Sequence, residues 1–158
     1  MKSLIFFLLL LFSAAIANAQ WVVYTGNGMV IGERVLYAVQ GRIFPGDLRV
    51  APQPMYTVIG NEIMVGGSGS MFDLIYTERA GKLYRGNAMY SSQIAYTFAD
   101  GRIYRGDSQF PLDVLCSVQG NMIFEGAYAN PAEGRFVIEG PASISDLFAI
   151  LLALGLLD

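Results

Sequence analysis

The sequence predicts an all-β fold of tandem two-stranded repeats, about 20 residues each, followed by one apolar C-terminal helix. Glycine recurs at this spacing, at Gly46, Gly66, Gly86, Gly106 and Gly126. An aliphatic residue precedes each glycine by three positions, at Ile43, Ile63, Leu83, Ile103 and Ile123. Ten positions after each glycine come Tyr56, Tyr76, Tyr96, Cys116 and Phe136. Such self-similarity indicates one small unit built repeatedly and stacked on itself.

Residues 1–19 have the features of a secretory signal peptide. Lys2 gives a positive start, an apolar run follows from Leu4 to Phe12, and Ala17-Asn18-Ala19 fits the small-residue cleavage pattern. The alternative, an N-terminal anchor helix, is disfavoured because a membrane span needs about 20 apolar residues. We therefore expect a secreted or periplasmic protein with one mature domain, residues 20–158.

The composition argues against several classes of function. Without Lys2 the chain carries nine Lys and Arg against thirteen Asp and Glu, a net charge of −4, so a nucleic-acid partner is not expected. The absence of histidine excludes the common zinc sites and His-dependent catalysis. Cys116 is the only cysteine, so no intramolecular disulfide can form, and we interpret it as a buried apolar residue. We expect no enzymatic activity, cofactor or metal.

The strands are predicted from turn signals and apolar runs. Asp100-Gly101 has the chemistry of a two-residue hairpin turn, and the equivalent positions of other repeats carry weaker versions of it. The other connection of each repeat is longer and polar. We predict two short hairpins over residues 21–46, regular repeats over 47–126, and a closing strand over 133–139.

Strand alternation assigns side chains to faces. In the first strand, the repeated aliphatic residues share one face, and the next residue of each repeat lies on the other. In the second strand, alternation groups Leu74 with Tyr76 on one face and Ile75 with Thr77 on the other. Because both faces are largely apolar, both are expected to be covered, which favours a closed barrel-like or radial arrangement.

Residues 143–154 are predicted to form the helix. Ser143 is suited to the N-cap, Asp146 follows three residues later, and Gly155 suits the C-terminal stop. An all-round apolar helix is buried or lies in lipid. The helix is therefore either a plug or cap of the β-body, or an element for peripheral membrane contact or self-assembly.

Two motifs indicate a family resemblance. Residues 101–108 read Gly-Arg-Ile-Tyr-Arg-Gly-Asp-Ser, and residues 140–147 read Gly-Pro-Ala-Ser-Ile-Ser-Asp-Leu. Together they resemble the bacterial four-fold β-flower repeat family, whose members end in a Gly-Pro-x-Ser/Thr helix. The resemblance covers residues 35–152 and implies a pseudo-symmetric all-β body with one helix at its centre or end. The chain departs from the pattern at Pro45, Met64, Ala88 and Cys116, and in the first two units.

The candidate binding residues are Tyr84, Arg85, Tyr104 and Arg105. Tyrosine beside arginine on neighbouring repeats could form a repeated surface for a protein or glycan, since both residue types are enriched at binding hot spots. Alternatively, the tyrosines pack between units and the arginines are solvated. Recurrent loop carboxylates such as Asp73 indicate turn hydrogen bonding, and a calcium role is the disfavoured alternative because Gln93 and Ala127 break the series.

These observations favour an exported, non-enzymatic binding or adhesion-type module. The alternative is a structural component of the cell envelope that self-associates, or that is membrane-peripheral through its C-terminal helix.

Overall fold

The described residues of the chain fold into a closed twelve-stranded antiparallel barrel with one helix. The computed structural model describes residues 20–27, 30–46, 53–127, 130 and 133–157, so the predicted signal peptide, residues 1–19, lies outside the described residues. The strands are β1 Trp21–Asn27, β2 Val30–Val39, β3 Arg42–Pro45, β4 Tyr56–Ile59, β5 Glu62–Val65, β6 Leu74–Arg79, β7 Lys82–Arg85, β8 Ile94–Ala99, β9 Arg102–Arg105, β10 Val114–Gln119, β11 Met122–Glu125 and β12 Phe136–Glu139. The helix α1 spans Ile144–Ala153. The predicted all-β ring with a C-terminal helix is confirmed.

The two ends of the chain close the ring. Every strand pairs with its neighbours in sequence, and β1 also pairs with β12. The twelve strands form six two-stranded units, of which five are ordinary hairpins and the sixth combines β12 with β1. In this sixth unit Val23 lies opposite Ile138, as Ile103 lies opposite Phe98 in a regular unit. The first and last strands, β1 and β12, therefore pair with each other as the two strands of one repeat unit.

Two types of β-turn connect the strands of the hairpins. At Ala80-Gly81 and Asp100-Gly101 both turn residues have positive φ, between 50° and 78°, as a type I′ turn requires. At Gly60-Asn61 only the glycine has positive φ, as in a type II′ turn. Both turn types match the right-handed twist of adjoining strands. These turns define one end of the barrel, which we call the turn end.

A β-bulge near the start of the second strand overturns the predicted faces of Leu74 and Ile75. Leu74 pairs with Met64 and Tyr76 pairs with Ile63, so Ile75 is the extra residue. A bulge places two residues opposite one and breaks the alternation. Ile75 consequently joins Tyr76 in the core, and Leu74 lies on the outer side. The same register shift recurs in the next two units.

The longer connections form the opposite end of the barrel, which we call the petal end. Four of them begin at a repeat glycine whose carbonyl oxygen accepts a hydrogen bond from a buried hydroxyl on the outer wall, whereas the Gly46 carbonyl accepts one from Arg34. The donors and acceptors are Thr57 to Gly66 (2.6 Å), Thr77 to Gly86 (2.7 Å), Thr97 to Gly106 (2.8 Å) and Ser117 to Gly126 (2.7 Å). Lys82, at the turn end of β7, reaches Asp107 at 2.6 Å. The connections, or petals, are thus held against the outer wall.

The core lies inside the ring, around the helix. Val23, Ile43, Ile63, Leu83, Ile103 and Ile123 are fully buried, one from each unit. They form a single cluster with the helix residues Leu147, Phe148, Ala149, Ile150 and Leu151. Because these helix side chains are buried in the closed barrel, they are not available for the predicted membrane contact. Among the described residues, no helix combines the length and hydrophobicity that a membrane crossing requires.

Both helix ends are capped by local motifs. Ser143 Oγ accepts a hydrogen bond from the Asp146 amide at 3.1 Å, and the Asp146 carboxylate accepts one from the Ser143 amide at 2.9 Å, which makes a capping box. At the other end, Gly155 has a φ of 68°, and the amide of Leu156 donates to the carbonyl of Leu151 at 3.0 Å. This Schellman motif ends the helix at an exposed glycine.

We expect Phe148→Ala to lower the free energy of unfolding by about 3–5 kcal/mol, because it leaves a cavity on the axis of the ring. Ile144→Ala, at a position that is 40% exposed on the same helix, should cost much less. Urea unfolding followed by circular dichroism measures both variants. Equal, small effects would show that the helix does not support the ring in solution.

Candidate functional site

The structure separates the four predicted binding residues. Tyr84 and Tyr104 lie on the outer wall. Tyr104 is only 5% exposed, and the guanidinium carbon of Arg79 lies 5.6 Å from the centre of the Tyr84 ring. Arg85 and Arg105 are exposed and, by strand alternation, point away from the neighbouring tyrosine. The Tyr-Arg pairs therefore do not form one repeated surface. The packing interpretation accounts for the tyrosines, whereas the two arginines stay accessible at the petal end.

Two clefts lie at the turn end, around the start of the helix. The first, of about 240 Å³, is walled by apolar side chains including Phe98, Val118 and Leu147. Its polar side chains are already engaged, since Asn121 donates to the carbonyl of Ile138 and Ser143 caps the helix. The second cleft is lined by Gln20, Gln40, Gly41, Val58, Ile59, Gly60, Ser143 and Asp146. In the second cleft the Ser143 hydroxyl donates to the Asp146 carboxylate at 2.7 Å, but both groups are engaged in capping the helix.

The loop carboxylates bind partners within the protein. Asp73 accepts a hydrogen bond from Ser68, and Asp113 accepts the equivalent bond from Ser108. Asp107 is paired with Lys82. In the described part of the chain, no three acidic, cysteine or histidine side chains cluster in a way that could hold a metal ion. The turn interpretation of these carboxylates thus fits their geometry.

The accessible apolar residues are concentrated at the petal end. Of eleven large apolar residues that are exposed among those described, nine lie there: Val30, Ile31, Val65, Met71, Phe72, Met89, Tyr90, Phe110 and Leu112. Only Ile59 and Ile144 lie at the turn end. Six of the nine come from three consecutive petals, and we call Met71, Phe72, Met89, Tyr90, Phe110 and Leu112 the petal surface. Phe72 and Leu112 are 100% and 98% exposed.

Short 3-10 turns hold the petal surface in place. These turns span Met71–Asp73, Ser91–Gln93 and Pro111–Asp113, each directly before a second strand. Sequence reasoning missed this surface because it treated these connections as polar loops. The available signal was the repeated placement of large apolar residues three to six positions after a repeat glycine, as at Met89, Tyr90 and Leu112.

The charges beside the petal surface balance, because Asp73 and Asp113 match Arg85 and Arg105 in number and Lys82 is paired with Asp107. Arg85 and Arg105 end β7 and β9 at this end of the barrel. Within the described part of the chain, neither guanidinium takes part in a hydrogen bond or an ion pair, whereas Asp73, Asp107 and Asp113 are all engaged by serine or lysine side chains. Glu33 lies on β2, across the ring from this sector. The site therefore combines protruding apolar side chains with two unpaired arginines.

We expect Cys116 to be unreactive in the folded protein. Burial raises the pKa of its thiol to about 12, so almost none is thiolate at neutral pH, and the thiolate is the nucleophile. A colorimetric thiol reagent at pH 8 should report no free thiol in buffer and one in denaturant. Rapid reaction in buffer would contradict the buried position of Cys116.

Comparison with known proteins places the chain in a family. A family model described as "6-fold beta flower protein" matches residues 23–151, which is most of the chain. No curated protein and no solved structure matches the sequence. The resemblance to β-flower repeats is thus supported, but not the four-fold type: the family is six-fold, and the twelve described strands form six units. The chain belongs to the 6-fold beta flower family.

Proposed function

We propose that this protein is an exported, non-enzymatic module that binds a partner in the bacterial envelope through its petal surface. The observation that carries the proposal is the asymmetry of the barrel, since nine of eleven exposed large apolar residues lie at one end. Large exposed apolar patches mark interaction sites in soluble proteins. The leader-like residues 1–19 support an exported location.

Covering this surface with a partner would release free energy that favours binding. Burying a Phe or Leu side chain contributes roughly 1.5–3 kcal/mol. Phe72 and Leu112 are almost fully exposed, so each could contribute most of this amount. The 3-10 turns and the hydroxyl–carbonyl bonds hold the petals before binding, which reduces the entropy lost when a partner is bound.

The chemistry of the described residues supports binding more than catalysis. Cys116 is buried, the Ser143–Asp146 pair at the turn end is engaged in capping the helix, and the sequence has no histidine. The structural-envelope alternative remains a second candidate. In the closed barrel its self-association would use the petal surface instead of the buried helix.

We expect the double variant Phe72→Ser/Leu112→Ser to lose binding to bacterial envelope fractions that retain their membranes and proteins. Ile144→Ser is the matched control, because Ile144 is an exposed apolar residue at the turn end, whereas the Ile59 side chain lies beside Gly69 of the first petal. Binding is measured by co-sedimentation of residues 20–158 with the fraction. All variants should show unchanged thermal unfolding, since these side chains are exposed.

If the double variant binds as well as the wild type, the petal surface is not the binding surface and the proposal fails. Analytical ultracentrifugation tests the self-associating alternative. That alternative is favoured if the wild type forms concentration-dependent oligomers and the double variant does not.

A further inference from the structure

We infer that Gln20 is a modification site, at which the mature chain closes its own N-terminus into a pyroglutamate ring. This inference rests on the export in the proposed function, because Gln20 becomes the first residue only when cleavage follows Ala17-Asn18-Ala19. It concerns the turn end of the barrel and does not depend on what the petal surface binds. The observations that carry it are the free side chain of Gln20 and the fixed position of its backbone nitrogen.

The reaction takes place within one residue. The lone pair of the α-amino nitrogen attacks the side-chain amide carbon, Cδ, and a new C–N bond closes a five-membered lactam. The bond from Cδ to the side-chain nitrogen breaks, and that nitrogen leaves as ammonia with one proton from the α-amino group. Because α-amino groups ordinarily have pKa values of about 7.7–8.0, a fraction of them is neutral and nucleophilic near neutral pH. The reaction consumes no other reactant.

The structure leaves the Gln20 side chain free to react. Gln20 is exposed at the turn end, directly before β1 begins at Trp21, and it lies on the rim of the second cleft. Among the described residues, no hydrogen bond engages its side-chain amide. The amide therefore gives up no partner within the protein when it folds back onto the α-amino nitrogen.

The backbone of Gln20 is held in a defined place. Its nitrogen donates to the carbonyl of Ala38 at 2.8 Å, and Trp21, which is 1% exposed, pairs with Ala38. A Cβ added at Gly140 would lie only 2.5 Å from the carbonyl oxygen of Gln20, so the chain after β12 also packs closely against this residue. The bond to Ala38 uses one N–H, and the neutral amine keeps its lone pair for the attack. The nucleophile is thus fixed at the surface while the electrophile is free to reach it.

The product has a different chemistry from the free N-terminus. The lactam carries no positive charge, and it lacks the free α-amine that aminopeptidases require. Because β1 closes the ring with β12, removal of residues from this terminus would open the barrel. Cyclisation of Gln20 therefore protects the strand on which ring closure depends.

The test expresses the full chain, residues 1–158, in a bacterial host with an export pathway. The exported protein is incubated at pH 8 over several weeks, and its intact mass is followed. We expect the mass of residues 20–158 less one ammonia. The N-terminal tryptic peptide, which ends at Arg34, should carry this loss at Gln20. Gln20→Ser is the matched control, because it keeps the α-amine without a side-chain amide and should keep its full mass.

A wild-type protein that begins at Gln20 and retains its side-chain nitrogen would overturn the inference, while the proposed export stands. An equal loss of ammonia in Gln20→Ser would also overturn it, since the loss would then arise at another residue. An exported product that begins elsewhere overturns the inference alone. If the chain is not exported and keeps residues 1–19, the inference and the exported location in the proposed function both fail.

Discussion

The pairing of β1 with β12 around the helix is the constraint on which the rest of the structure depends. The short strands of this barrel offer little sheet on their own, and an open ring would leave two edges and an unfilled centre. Closure removes both edges. It also surrounds Phe148 and Ile150 with one aliphatic residue from each unit. Because neighbouring strands run antiparallel all around the closed ring, the hairpin turns lie at one end and the petals lie at the other.

This separation of ends gives the barrel its polarity. The turn end is occupied by tight turns and by the capped start of the helix, so its polar groups are largely used within the fold. The petals are free to vary because their anchoring is supplied by backbone carbonyls and by hydroxyls such as Thr77 and Thr97. Petals of this kind can carry Phe72 or Leu112 into solvent without loss of stability. A rigid ring that presents variable loops is a common arrangement for binding proteins.

Much of the fold could be predicted from the sequence because each repeat carries recognisable turn residues and a recognisable buried strand face. Asp100-Gly101 identifies a turn, and the aliphatic series ending at Ile123 identifies the buried face of the first strand. The reversal at Leu74 and Ile75 could not be seen, because both faces are apolar and a bulge leaves no distinct residue type. The sixth unit was hidden since its strands lie at opposite ends of the chain. The site was misplaced for a similar reason: sequence alone does not show that Tyr104 is covered while Phe110 is exposed.

The most direct test of the petal surface as the binding surface is a fluorescence measurement on labelled single variants. Phe72→Cys, Leu112→Cys and Ile144→Cys can each carry an environment-sensitive dye, because the buried thiol of Cys116 does not compete for the label. On addition of envelope membranes, the account predicts a blue shift for dyes at positions 72 and 112 and none at position 144. A shift at 144 alone, or equal shifts at all three positions, would contradict it.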